Sequence, residues 1–224
     1  MKNKTALILL SGGLDSLVSI EKSDRKIIAG ILFDYGQKAF KQEKIASEKI
    51  ADFYEFELKI INLDWLKNIV DNGLTASDKV YKISDFNNEE ELINSMKSVW
   101  VPNRNALFIN IAAAYCEAKN IDSIVIGANK EEGKVFKDNS KPFIEKINEL
   151  LKYSVNTNVE VIAPLIDLNK NEIIKEGMRL KSPLELLYSC YLGGNKHCGE
   201  CESCLHLKNA LIMNNREDLI KKLF

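Results

Sequence analysis

This 224-residue chain has no excess of positive or of negative charge. Its 31 lysines and arginines face 32 aspartates and glutamates, for a formal net charge of −1. A dedicated nucleic-acid binder would carry a basic footprint, so no nucleic-acid partner is expected. Long apolar runs are missing too. The longest, such as Ile27 to Phe33, are strand-length and far short of the roughly 18–20 residues that cross a bilayer. The start, Met1-Lys2-Asn3-Lys4, leads into a strand pattern without a cleavage site. A cytoplasmic protein with no membrane partner is the expectation. Five cysteines are too few for a disulfide scaffold, and neither repeats nor low-complexity tracts occur. What is present is 46% hydrophobic and 28% charged residues. That composition excludes disorder and describes one large globular domain, with or without a small appendage.

Short apolar runs alternate with helical patterns through the first two-thirds. Ala6–Leu10, Ile27–Phe33, Leu58–Leu63, Ser123–Ala128 and Val159–Ala163 read as buried strands, the last halted by Pro164. Helical spacing begins near Leu14 and recurs over Phe40–Phe53, Asn105–Lys119 and Asn169–Leu180. This alternation predicts an α/β protein with a doubly wound parallel sheet and helices on both faces. Ligands in such sheets sit beyond the carboxyl ends of the strands. Two polar stretches break the pattern. Asp71–Met96 reads as an insertion or flexible flap, and Lys130–Lys141 as a mobile loop.

The most informative stretch is Ser11-Gly12-Gly13-Leu14-Asp15-Ser16, directly after the first strand and opening the first helix. Glycines there let backbone approach a ligand, and a helix N-terminus offers free N–H groups and the positive end of its dipole. Ser11 and Ser16 add hydroxyl donors for a phosphate. Asp15 is out of place beside an anion unless Mg²⁺ or a backbone N–H engages it. A Gly-Gly turn with Asp15 as helix cap is the plainer alternative; the complete hexapeptide in strand–turn–helix context favours phosphate. It resembles the loop of the ATP-pyrophosphatase superfamily, whose members carry Ser-Gly-Gly-x-Asp-Ser and lack the Gly-Lys-Ser/Thr end of a Walker loop. That resemblance implies cleavage of ATP between the α and β phosphates. Two further stretches fall where such a fold places its site. Phe33-Asp34-Tyr35-Gly36-Gln37 follows the second strand, and Trp100-Val101-Pro102-Asn103-Arg104-Asn105 precedes the long helix. Arg104 is placed to meet phosphate and Asn105 to cap the helix, against plain readings of a turn at Asp34 and a solvated arginine.

Four of the five cysteines cluster as C-x7-C-x2-C-x2-C at Cys190, Cys198, Cys201 and Cys204. Paired C-x2-C turns converge two sulfurs on one ion, and four thiolates close the tetrahedral shell of a structural Zn²⁺. Ligand type alone also admits an iron–sulfur cluster, and C-x2-C pairs can be redox-active. His197 and His206 flank the sulfurs without being needed as ligands. Cys116, inside the alanine-rich helix, reads as a small core residue.

Taken in order, these elements resemble the 7-cyano-7-deazaguanine synthase family, often called QueC. The matching stretches are Ser11–Ser16, Phe33–Gln37, Val101–Asn105, Ile126–Asn129, Pro164–Leu168 and Ser189–Cys204. The resemblance implies an ATP-dependent carbon–nitrogen ligase that adenylates 7-carboxy-7-deazaguanine. Ammonia then displaces AMP to give an amide, and a second activation leads to the nitrile. It further implies ATP and Mg²⁺ at Leu10, Ser11, Gly12, Gly13, Leu14, Asp15, Ser16, Phe33, Arg104 and Gly127, with Asp15 and Arg104 catalytic. Substrate contacts fall on Tyr35, Gln37, Asn105, Asn129, Phe136 and Asp138, and Zn²⁺ on the four cysteines. Residues 1–180 would form the ATP-binding synthase domain and 181–224 a zinc-binding segment, in a homodimer.

One departure stands out. After Ile-Gly-x-Asn most members continue Asp-Tyr-Ser-Gly-Tyr-Pro-Asp-Cys-Arg, whereas here Lys130-Glu131-Glu132-Gly133-Lys134-Val135-Phe136-Lys137-Asp138-Asn139-Ser140 follows. Phe136 keeps an aromatic and Asp138 an acid. The change leaves open a defence-type relative that joins the deazaguanine acyl group to another amine, possibly on a protein acceptor. Two other readings compete: tRNA thiolation, which needs a reactive cysteine near ATP, and a non-catalytic zinc adaptor binding nucleotide or RNA.

Overall fold

A computed structural model describes residues 4–75 and 88–224. Five parallel strands among them, β1 (Thr5–Leu9), β2 (Lys26–Asp34), β3 (Glu57–Asn62), β4 (Ser123–Val125) and β5 (Glu160–Ile162), lie in the order β3-β2-β1-β4-β5. Helices α1 (Leu14–Lys22), α2 (Phe40–Tyr54), α3 (Asp64–Ile69), α4 (Glu89–Ser98), α5 (Arg104–Lys119), α6 (Glu132–Val135) and α7 (Lys141–Ser154) connect them. Beyond β5 come α8 (Lys170–Leu180), α9 (Glu202–Met213) and α10 (Glu217–Leu223). This is the doubly wound α/β sheet expected from the strand–helix alternation.

Alternation along β1 divides the core. Leu7 faces a cluster with Ile109, Ala112, Cys116, Ile147 and Leu151, from α5 and α7. Ala6 and Ile8 face the other layer, where Leu17, Ile173, Ile174, Leu207 and Leu211 come from α1, α8 and α9. Successive strand residues point to opposite faces, so an uninterrupted apolar run is what a doubly covered strand requires. Each such fully buried Leu or Ile contributes about 1.5–3 kcal/mol. Cys116 is fully buried and its thiol is pushed up to about 12 by burial, as a core residue should be.

Three local expectations change. The stretch Lys130–Lys141 is not a loose loop: α6 and a 3-10 turn over Lys137–Asn139 fold it down, with Asp138 and Asn139 buried. Polarity misled here because Glu132, Asp138 and Asn139 turn toward the site while the lysines of the stretch stay exposed. The long helix starts at Arg104, with Asn103 in left-handed geometry as its N-cap and no side-chain cap. Asn105 therefore lies within the first turn and bonds the Asp138 carbonyl through Nδ2 (3.1 Å) rather than capping. Part of Asp71–Met96, read as a flap, belongs to α4, capped by the Asn88 side chain; residues 76–87 of it lie outside the described residues. Helix α7 lies where the sequence pattern assigns no element. Ser140 caps it, Pro142 sits in its first turn, and Ile147 and Leu151 are buried.

Candidate active site

Crossovers leave β1 toward β2 on one side and reach β4 on the other, so the sheet opens a crevice at the carboxyl ends of β1 and β4. A cavity of about 250 Å³ occupies it. Its walls include Leu10, Ser11, Gly13, Leu14, Asp15 and Ser16 from the first loop, Phe33, Tyr35 and Gln37 after β2, and Arg104 and Asn105 at the start of α5. Gly127, after β4, completes the floor. The stretches after β1, β2 and β4 converge because these strands are neighbours in the sheet, and Arg104 and Asn105 join them from the start of α5.

Glycine is required at two positions around the cavity. A Cβ on Gly127 would stand 2.8 Å from the Ser16 backbone nitrogen and 2.9 Å from the Asp15 carbonyl carbon, so only glycine lets β4 end against the loop. Gly12 has φ +76° and no room for a Cβ beside Ala46; it shapes the turn and does not line the cavity. Gly13 is the extended N-cap of α1, with no side-chain cap bond. The N–H groups of the first turn therefore remain available to an anion. Ser16 Oγ donates to Gly13 O at 3.0 Å and stands 3.3 Å from Ser11 Oγ.

Beneath the loop sits a charge cluster that sequence reasoning did not find. Lys170, the first residue of α8, pairs with Asp15 and, at 3.0 Å, with Glu132. A capping box between Asn169 and Glu172 fixes that helix start, and with it the lysine. Burial would lower the Lys170 pKa, but the two carboxylates more than offset it and keep the ammonium charged. Asp15 is raised to about 6, chiefly by burial, with Lys170 opposing. Its Oδ1 is buried without a partner. Asn129 is fully buried behind the cavity wall and clamps the cluster. Its Nδ2 donates to Glu132 Oε1 (2.9 Å) and Asp15 Oδ2 (3.3 Å), while its Oδ1 accepts from the Glu131 and Glu132 N–H groups.

A second set lies on the β2 side. Gln37 donates to Phe33 O (2.9 Å) and Glu43 Oε2 (2.8 Å) and accepts from Tyr35 N–H (3.0 Å). Burial works against the Arg104 charge, but Tyr35 and Asp138 beside it more than compensate. Glu43, also in the cavity wall, is pushed up to about 7 by burial, against the Gln37 hydrogen bond and Arg104. From an ordinary value of 4.5, this carboxyl keeps its proton in the folded protein over a window where the unfolded chain has lost it. Stability from this group is therefore full below about 4.5 and falls as pH rises to about 7. Glu43→Gln, without ligand, is expected to gain on the parent by up to about 3 kcal/mol between pH 4.5 and pH 8. Melting temperatures at both pH values check this; a constant difference would show that the carboxyl titrates normally.

Phe136 and Asp138 sit elsewhere. They line a side pocket of about 60 Å³ with Trp100, Met96 and Glu202, which shares Arg104, Glu132, Asn139 and Tyr191 with the main cavity. Phe136 stacks on Trp100 at 5.5 Å. Asp138 is buried and its Oδ1 has no partner. Glu43, Glu132 and Lys170 line the cavity from outside the matched stretches, and Ser189, Tyr191 and Ser203, inside the matched Ser189–Cys204 stretch, line it without having been expected at the site. Lys170 alone left a usable signal, as the first residue of a capped helix just beyond a strand end.

The four cysteines converge as their spacing requires. Their sulfur atoms all lie within 4.8 Å of one another, and Cys198 Sγ is 3.7 Å from Cys204 Sγ. Zn–S bonds of about 2.3 Å in a tetrahedron place sulfurs about 3.8 Å apart, so the residues fit that ion. Cys201 is the N-cap of α9 and Cys204 lies in its first turn. Gly199, at φ +76°, makes the turn between Cys198 and Cys201. N–H groups of Glu200 and Cys201 point at Cys198 Sγ (3.4 and 3.2 Å), and that of Leu192 at Cys190 Sγ (3.4 Å). His197 is no ligand: its ring bonds the Ser189 N–H and the Leu223 carbonyl.

A parallel sheet of this order with a Ser-Gly-Gly-Leu-Asp-Ser loop at the crevice defines a nucleotide-binding α/β enzyme of the PP-loop class. A family profile described as "Queuosine biosynthesis protein QueC" matches residues 5–215. The chain belongs to the QueC family. A 7-cyano-7-deazaguanine synthase of Carboxydothermus hydrogenoformans is 45% identical over 208 residues, covering 92% of this chain and 97% of the relative. The enzyme of the same name from Methanobrevibacter smithii is 43% identical, with 97% of each chain covered. That of Bdellovibrio bacteriovorus is 40% identical over 100% of this chain and 98% of its own. No helix among the described residues is long and apolar enough to cross a membrane.

Proposed function

We propose that the protein is an ATP-dependent carbon–nitrogen ligase converting 7-carboxy-7-deazaguanine and ammonia to 7-cyano-7-deazaguanine. The observation that carries this reading is one cavity in which the Ser11–Ser16 loop, Arg104 and Lys170 meet. First-turn N–H groups of α1 and the Ser11 and Ser16 hydroxyls receive the ATP phosphates, with Leu10, Phe33 and Gly127 against the nucleotide. Arg104, held by Tyr35 and Asp138, faces the charge that develops as pyrophosphate departs. Asp15, with its partnerless buried oxygen, is the residue to hold Mg²⁺, an ion that screens phosphate charge when bound.

The order of bonds is as follows. The substrate carboxylate oxygen attacks the α-phosphorus and releases pyrophosphate; ammonia attacks the acyl carbon and AMP leaves with the oxygen, giving the amide. A second ATP activates the amide oxygen, and loss of AMP and the nitrogen protons yields the nitrile. Aligning two repelling anions is the protein's main task. Tyr35, Gln37 and Asn105 supply polar contacts in the main cavity. Asn129 acts by orienting Glu132 and Asp15, and Phe136 and Asp138 offer an aromatic face and an acid for the guanine-like edge. Residues 181–224 close the ATP-binding domain 1–180 through their zinc site, and two copies form the working dimer.

Incubation with ATP, ammonium and the carboxylate, followed by mass spectrometry, is expected to yield nitrile and AMP. AMP release without nitrile would reject the reading. It would favour the second one, transfer to another amine, for which the departure at 130–140 is the specific observation.

A further inference from the structure

Ser189 lines the cavity beside the phosphate loop. A Cβ placed on Gly13 would lie 3.7 Å from Ser189 Oγ and 3.8 Å from the Tyr188 carbonyl. The contact is built from both sides. Tyr188 N–H donates to Gly12 O at 2.8 Å, tying the segment to the loop. Ser189 N–H donates to His197 Nε2 at 3.0 Å, and the other ring nitrogen lies 3.1 Å from Leu223 O. Cys190 follows immediately, so the four-sulfur centre anchors the far end of the same strap.

We propose that Ser189 is a phosphate-binding residue, its hydroxyl donating to a non-bridging oxygen of the β- or γ-phosphate from the segment packed beside the loop. The inference rests on the reading that this cavity takes ATP. A triphosphate presents more acceptor oxygens than one helix turn can satisfy. The two loop hydroxyls, Ser11 and Ser16, are within reach of each other, so part of their capacity is turned inward. Ser189 adds a donor from a second element, and the strap through His197 and Cys190 fixes where that donor points. The metal centre then positions a ligand contact as well as holding the chain end.

The test is equilibrium binding of α,β-methylene-ATP and of AMP to the metal-replete full chain. Ser189→Ala is expected to weaken the triphosphate analogue about tenfold or more, the loss of a hydrogen bond to a charged group. AMP affinity and metal content should stay as in the parent. Ser189→Thr should bind the analogue as the parent does, and Ser189→Val, isosteric with the threonine variant, should not. Should the alanine variant lose metal, the Thr and Val pair still isolates the hydroxyl. Equal analogue affinity for Thr and Val, or a loss shared by AMP, overturns the proposal. A parent that binds neither nucleotide would instead overturn the ATP reading on which it stands.

Discussion

Cys204→Ser is expected to abolish metal binding at the four-sulfur site, lower Tm by about 10–20 °C and abolish nucleotide binding in one step. Cys204 is fully buried in the first turn of α9, with Cys190 and Cys201 equally enclosed beside Ala39, Ala46 and Tyr188. From Leu187 to Cys201 the chain has neither helix nor strand, so few backbone bonds hold it without the metal. The same stretch carries Tyr188 and Ser189, which touch Gly12 and Gly13. The remainder should stay folded, because Leu207, Leu211 and Leu219 are anchored in the main core with Ile173 and Ile174. Elemental analysis, thermal melting and nucleotide titration on one preparation check the three effects. A variant that keeps its ion and its Tm would show that these sulfurs hold no structural metal. Chelation of the parent should reproduce the result.

Lys170→Met should be nearly as damaging. The lysine is the cation that Asp15 and Glu132 share, and its removal leaves two buried carboxylates facing each other and an incoming polyphosphate. Breaking a buried pair from one side costs about 3–5 kcal/mol, and loss of a preorganised positive charge lowers turnover about 10²–10³-fold. The pH dependence has a definite sign. Without Lys170 the folded-state pKa of Asp15, already about 6, rises further, so the variant's deficit is largest at alkaline pH. It shrinks on acidification as the carboxyls take up protons. Melting at pH 8 and pH 5 should show the gap narrowing; the same gap at both would mean the lysine acts by packing alone. Arginine is not expected to restore activity, because its planar fork cannot reproduce a point charge between two carboxylates.

How much of this could be read from residues alone differs by region. Strand–helix alternation was legible because a strand covered on both faces must be continuously apolar, and Ala6, Leu7 and Ile8 are. The loop at Ser11–Ser16 and the sulfurs were legible because their chemistry constrains spacing over a few residues. Glu132 and Lys170 were not, since their meaning arises from a contact 38 residues apart in sequence. The stretch around Asp138 was misread for the same reason: burial of polar groups is decided by partners such as Arg104 and Asn105, which local composition does not contain. Asn129 belongs with these, as a residue found by motif whose hydrogen bonds place it behind the wall.

The open sheet leaves two rims, and they are blunted differently. β3 presents exposed Glu57 and Lys59 along its length, the latter with its ammonium over the Tyr115 ring. β5 is only three residues long, and its Glu160 is held by Lys4 and Arg25. A strand from another molecule would have to strip water from those charges before gaining a single ladder bond. The consequence is colloidal: the sheet can stay open in crowded solution without growing edge to edge into a polymer.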